Sequence, residues 1–324
     1  SHLNIGLDFG FRDERVSGTI DWYNKSTNDL LLEFPVPQPA VVETRLANAG
    51  KVTNKGIEIG LNTVNISSPG FFWRTNLNFA YNKNEVVELG DRDFITTGIV
   101  SGAGLSDTYA QIVLPGQPLG TFFGPKFLGY DANGNEILST DVGRPERTTG
   151  PLKDGRQILG DAQPDVNIGL SSTMIYKKWD FRFFFQGVTG FSFLNNTRLE
   201  YQRPSNVFNG INLFRGAADD VAAGLNPEAT VHYTDRFIED GSFIRLQNVT
   251  LGYTFDAFSN LRSLRVYLSA DNLFVLTDYQ GYDPEVNTYA FDPTNPNARI
   301  PSLGIDYANY PRSRVFAFGL SLGL

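Results

Sequence analysis

Cysteine is absent from this chain, and its 324 residues hold two histidines, one methionine and three tryptophans. Without thiols, neither a disulfide framework nor a thiolate metal site can be built. So little histidine leaves almost nothing for a catalytic triad or a zinc site. His232 falls in an expected loop beside Tyr233 with no acid–serine pattern nearby, and reads as a solvated loop residue. Long apolar runs are missing too. Mean hydropathy is −0.21, and no stretch of about 18 apolar residues occurs, which excludes a membrane-spanning helix. A membrane barrel stays open, because barrel strands alternate apolar and polar residues and average to neutrality. There is no block of lysine and arginine, and net charge is −8, so nucleic acid is not an expected partner. The chain opens on Ser1-His2-Leu3-Asn4 with no initiator methionine, basic segment or apolar leader. An envelope protein needs such a leader, and the expectation is a piece of a longer protein.

Glycine numbers 32, aromatic residues make up 13% and charged residues 19%. That is the composition of β-sheet rather than helix. Period-two alternation recurs along the chain. Leu3, Ile5, Leu7, Phe9 and Phe11 alternate with Asn4, Gly6, Asp8 and Gly10. The same rhythm marks Val16–Trp22, Ile57–Asn62, Trp73–Tyr81, Val166–Tyr176, Trp179–Gln186, Val249–Phe255, Leu264–Ala270 and Phe316–Leu324. Each strand reads as roughly 9–12 residues, enough for a tilted strand to cross a bilayer. The second face carries Asn, Gly, Ser, Thr, Arg and Asp, as a wet lumen would.

Connections alternate in length. Residues 12–14, 65–70, 177–178 and 256–262 read as short turns, while 24–54, 83–162, 190–241 and 276–313 read as long loops. Outer-membrane barrels show this asymmetry because one rim is periplasmic and the other extracellular. Aromatic residues crowd the short-turn rim at Phe9, Phe11, Phe71–Trp73, Tyr176, Trp179, Tyr253 and Phe255, as an interfacial girdle would. The expected fold is all-β: a transmembrane antiparallel β-barrel with short periplasmic turns and long extracellular loops. About ten strands would form nearly half of a plugged barrel of about 22.

Several segments then become recognisable. Asp240–Tyr253 (DGSFIRLQNVTLGY), Leu264–Phe274 (LRVYLSADNLF), Thr277–Val286 (TDYQGYDPEV), Tyr310–Arg314 (YPRSR), Asn48–Glu58 (NAGKVTNKGIE) and Ile158–Pro164 (ILGDAQP) resemble, in family order, motifs of the SusC-like (SusC/RagA) TonB-dependent transporters. The resemblance spans nearly the whole chain. It marks Asn272, Leu273, Phe274, Thr277, Tyr279, Gly281, Tyr282, Asp283, Pro284 and Glu285 as a family motif loop. It implies import of a large nutrient, an oligosaccharide or less readily a peptide, across the outer membrane of a Gram-negative bacterium of the Bacteroidota. The implied partners are a SusD-like surface lipoprotein acting as a lid, TonB working through an N-terminal plug, the outer-membrane lipid, and a second transporter–lid pair forming a dimer. Residues 1–324 are then expected to be the C-terminal part of one barrel domain, with plug and signal peptide outside this chain. In the final strand, Gly319, Leu322 and Leu324 hold the places of the barrel-assembly signal, with Leu324 where phenylalanine is usual and Ala317 where a polar residue is usual.

Other signals lead elsewhere. Gly319-Leu320-Ser321-Leu322-Gly323 fits a nucleophile-elbow pattern, which requires a strand, a strained turn and a helix, yet the chain ends one residue later. Asp131-Ala132-Asn133-Gly134-Asn135-Glu136 hints at a calcium loop, but glycine and glutamate are out of register and Val142 takes the twelfth place. No catalytic residue, metal or cofactor is expected. Tyr279, Tyr282, Tyr289, Phe291, Tyr307 and Tyr310 suit sugar stacking, although packing between loops explains them more simply. A passive porin-like or surface-binding barrel is the competing reading, and an enzyme on a barrel scaffold the third.

Overall fold

The computed structural model describes residues 1–35, 44–48, 50–102, 105, 108–139, 155–256, 262–285 and 302–323, with 31–35 and 44–48 described as backbone path. Nine strands share one sheet: β1 (His2–Phe11), β2 (Val16–Thr27), β3 (Lys51–Ser68), β4 (Phe71–Glu88), β5 (Val166–Tyr176), β6 (Trp179–Thr189), β7 (Phe243–Phe255), β8 (Ser263–Thr277) and β9 (Val315–Gly323). Each pairs antiparallel with its neighbours in this order. Among the described residues β1 and β9 have one neighbour each, so the sheet is a partial barrel wall that does not close.

Register turns the alternation into two surfaces. Met174, Phe181, Leu251, Leu268 and Phe318 lie side by side across five strands. On the opposite face Arg74, Thr173, Arg182, Thr250 and Ser269 form the matching polar row. Among the described residues no layer packs on the apolar face: Leu7 is 61%, Leu268 61% and Phe318 65% exposed. A soluble sandwich buries that face. Here it is turned outward, which suits lipid and not water.

Short turns gather at one end. β1 and β2 join through Arg12, Asp13 and Glu14, all with left-handed φ of 54°, 55° and 63°. Gly70 (φ 84°) closes β3–β4, and Lys177-Lys178 closes β5–β6. Residues 257–261 of the β7–β8 turn lie outside the described residues. Rings pair near this rim, Trp179 with Tyr253 at 4.8 Å, Tyr253 with Phe255 at 4.7 Å and Phe71 with Tyr176 at 6.3 Å, as the girdle pattern anticipates.

One expectation needs correcting, the strand length; the nine strands among the described residues fit the expected count of about ten. Two of them run 18 residues rather than 9–12, because β3 starts at Lys51 and β4 continues to Glu88, inside segments read as loops. The upper parts of these strands are mostly polar, with Lys51, Asn54, Lys55, Lys83, Asn84 and Glu85 around Val52, Val86 and Val87, which hides the alternation. They are held by the Val52–Val86 pairing, by an Asn84-to-Asn54 amide hydrogen bond of 2.9 Å, and by a buried cluster with Leu89, Ile95 and Val113.

The long connections are folded as well. Residues 95–161 supply a four-stranded sheet (Ile95–Ile99, Tyr109–Val113, Thr121–Gly124, Gln157–Asp161) and the hairpin Phe127–Tyr130/Glu136–Leu138. The β6–β7 connection supplies two helices, α1 (Asn196–Tyr201) and α2 (Arg215–Ala222). The largest buried apolar cluster sits here, with Val100, Phe122, Leu194, Leu199, Val231, Phe237 and Ile305 drawn from three different long loops. The hydrophobic core therefore lies in the loop layer rather than behind the wall.

Candidate functional site

The motif residues converge on a buried guanidinium. A register shift between Leu246 and Asn248 puts a bulge in β7, and a matching irregularity in β8 gives Asn272 a left-handed φ of 52°. Asparagine tolerates that conformation well. Above the bulge, on its loop side, Arg245 lies opposite Gln186 on the wet face and is fully buried. Its Nη1 donates to Asn272 Oδ1, and its Nη2 donates to Asp283 Oδ1 at 2.6 Å. Nε stands 2.8 Å from Glu285 Oε2, which also pairs with Arg312 Nη1 at 3.0 Å. The Phe243 ring lies 5.4 Å from the guanidinium. A buried cation is costly to desolvate, and two carboxylates plus an amide offset that cost here. Asn272 also donates to the Arg312 and Ser313 carbonyls at 3.1 and 3.4 Å. Both ends of the β8–β9 connection are thus tied to the wall at one point.

A second clamp holds the start of the same loop. Thr277 Oγ1 donates to the Ser242 carbonyl at 2.8 Å and accepts from Tyr279 N at 3.1 Å. Tyr279 is buried against Phe193 (5.3 Å), and its hydroxyl donates to Asp306 Oδ2 at 2.6 Å. Burial, followed by the Asp306 carboxylate, drives its pKa above the ordinary tyrosine range. A Cβ on Gly281 would overlap the Tyr279 ring, so glycine is required there. Pro284 is buried beside Asp283. Leu273 is half-buried, while Phe274 turns outward to Phe185 at 6.1 Å.

Between the clamps the segment 280–282 faces a cleft of about 380 Å³. Gln280 N donates to Glu239 Oε2 at 2.8 Å, and Tyr282 is 57% exposed. A second, broader groove of about 560 Å³ runs along the polar wall face past Asp21, Glu58, Asn78 and Gln186. The arrangement offers hydrogen bonds, aromatic faces and fixed charge.

Asn272, Asp283 and Glu285 meet at Arg245, whereas Thr277, Tyr279 and Gly281 build the other clamp. Sequence reading placed Arg245 in a strand motif without its role. The available signal was a cation on the wet face of an alternating strand. Asp306 and Gln186 had no such signal. Gly319 lies opposite Tyr267 in the β8–β9 ladder, where a Cβ would overlap the tyrosine ring. Leu322 is exposed on the apolar face. Leu324, Val286, Tyr289, Phe291, Val142 and Ala49 lie outside the described residues. Tyr310 is exposed and Tyr307 half-buried.

Ser321 sits within β9 beside Arg265, in regular strand. Asp131 accepts from Asn133 N and Asn135 N at 2.8 Å each. Those bonds, the ones to Asn135 foremost, hold its carboxyl below the usual range, making this a self-capped turn. His232 is not the solvated residue expected. It is half-buried, with its backbone N and Nδ1 at 2.8 and 3.0 Å from the buried carboxylate of Glu136.

Residues 1–273 match the family model described as TonB dependent receptor-like, beta-barrel. The chain is 32% identical to TonB-dependent receptor P3 of Formosa agariphila, over 99% of its own length and 33% of that protein's. It is 31% identical to TonB-dependent receptor SusC of Bacteroides thetaiotaomicron, over 98% and 31%. The solved RagAB peptide importer in its open-open state superposes with a TM-score of 0.78 at 22% identity, over the whole of this chain and 34% of that one. The chain spans about a third of the length of the relatives it matches.

Proposed function

Because this chain belongs to the TonB-dependent receptor-like β-barrel family, we propose that residues 1–324 are the C-terminal part of one outer-membrane barrel domain, working in active uptake of a large nutrient. The observation that carries this is the two-faced wall, with predominantly apolar rows outside and predominantly polar rows inside. The open edges at β1 and β9 are completed by further strands of the same barrel, to a total of about 22 around a plug. Short turns face the periplasm and the folded loop layer faces outside. Energy comes from TonB through the plug, and a SusD-like lipoprotein closes the loop layer, with two such pairs forming a dimer. The cargo is an oligosaccharide in preference to a peptide, and the chain performs no catalysis. Gly319, Leu322 and Leu324 serve as the signal by which the barrel is inserted.

The test uses cells carrying the full-length transporter, with and without functional TonB, supplied with labelled oligosaccharides or labelled peptides. Uptake that requires TonB, together with co-purification of a surface lipoprotein, is the expected result. Uptake that persists without TonB would instead favour a passive porin.

A further inference from the structure

We infer that Lys55 and Lys83, side by side on the lipid-facing wall, form a binding site for the phosphorylated headgroup of an outer-leaflet lipid. The site rests on the membrane orientation proposed above, and not on what the transporter carries. Lys55 of β3 stands directly opposite Lys83 of β4 in the ladder. The neighbouring row, on the wet face, is Tyr23, Gly56 and Asn82, with Tyr23 Oη donating to Asn82 Oδ1 at 2.8 Å. Successive strand side chains take opposite faces, so both lysines belong to the apolar face, and both are exposed.

Height along the wall locates the pair. Outward positions of β4 run from Phe71 at the short-turn rim through Trp73, Leu77 and Phe79 to Tyr81. Between Phe71 and Tyr81 the strand climbs about 33 Å, which at a tilt of about 40° is about 25 Å of depth, the height of a barrel's apolar band. Lys83 is the next outward residue. The row beneath the lysines is Ile5, Trp22, Ile57 and Tyr81, all exposed. Both ammonium groups therefore stand where hydrocarbon gives way to headgroups, with an apolar and aromatic seat for acyl chain below them.

Like charges directly opposite in a sheet destabilise it. The row that holds them, Leu3, Asn24, Lys55 and Lys83, contains no acid to relieve them. Glu85, the next outward residue of β4, stands opposite Thr53. Among the described residues neither lysine enters an ion pair. Opposed Cβ atoms lie about 5 Å apart, so two flexible lysine chains can meet on one group. A phosphomonoester fits that demand, with a charge of about −1.5 to −2 at neutral pH and three strong acceptor oxygens. The Asn24 amide, beside Lys55 in the same row, adds a further donor. A zwitterionic headgroup brings its own cation to a site that already holds two.

The full-length transporter carrying this chain, purified in detergent, is titrated with dioctanoyl phosphatidate and, in parallel, with dioctanoyl phosphatidylcholine, and bound lipid is read by native mass spectrometry. Inorganic phosphate is added as a competitor. Phosphatidate binds the wild type at least tenfold more tightly than phosphatidylcholine. Lys55→Gln combined with Lys83→Gln weakens phosphatidate at least tenfold, and Lys55→Arg with Lys83→Arg keeps it within threefold. Lys25→Gln removes the same charge at a similar height from the wet face, where Lys25 stands opposite Asn54, and leaves binding unchanged. Heat-modifiable migration checks that each variant is folded. Phosphatidate affinity unchanged in the double glutamine variant, equal binding of phosphatidylcholine, or inorganic phosphate competing as strongly as the lipid overturns the site. The membrane placement fails separately, through a transporter that is not recovered with the outer membrane. A wild type recovered there whose phosphatidate binding ignores both lysines removes the site and leaves the placement standing.

Discussion

Truncating Arg245 would leave Asp283 and Glu285 facing each other in the loop layer with no cation beneath them. Arg245→Met is expected to destabilise the protein by about 3–5 kcal/mol, the usual consequence of removing one partner of a buried pair. Thermal unfolding in detergent reads this, and Asp283→Asn, which keeps a hydrogen-bond acceptor, should cost less. Tyr279 makes a second prediction, about pH. Its folded-state pKa is raised, so its contribution is complete below the ordinary tyrosine value of about 10 and lost as pH rises toward the folded value. Ultraviolet titration should show late-ionising tyrosines, the buried Tyr233 among them, and one fewer of these in Tyr279→Phe. Gly319 offers a contrast between two causes. If steric overlap with Tyr267 is what requires glycine, Gly319→Ala slows barrel folding and Tyr267→Ala added to it restores the rate. If glycine is read directly by the insertion machinery, the double variant stays slow.

Among the elements, the β1–β2 turn stores strain in its backbone. Three consecutive non-glycine residues are left-handed there, a conformation that costs such residues about 1–2 kcal/mol each. Asp13→Gly should therefore stabilise the hairpin by about 1 kcal/mol, measurable as a shift in denaturant midpoint. The wall strands were legible in the sequence because side chains of opposite polarity had to face opposite media, as in Leu3–Phe11 and Phe316–Leu322. The loop layer was not. Phe122, Leu194, Val231 and Ile305 meet across more than 180 residues of chain, and nothing local announces their contact. The motif loop was visible as a string of residues, but its organisation depends on Arg245, more than 25 residues upstream of Asn272. His232 looked solvated for the same reason, since its partner Glu136 is contributed by a distant hairpin.

At the scale of the whole molecule, the sidedness of the wall predicts how charge is tolerated. Phe318 and Ala317 are adjacent in β9 and point to opposite faces. Phe318→Lys should cost about 2–4 kcal/mol in a bilayer-folding assay, as a cation does on a lipid-facing surface near the midplane, while Ala317→Lys should be close to neutral. The long β3–β4 hairpin has a further consequence. A strand needs about 10 residues to cross the hydrocarbon, so the remainder of each 18-residue strand, roughly 25 Å at 3.3 Å per residue, stands clear of the lipid. That raised hairpin gives the loop layer a footing above the bilayer, where Val52 and Val86 pack with Leu89, Ile95 and Val113.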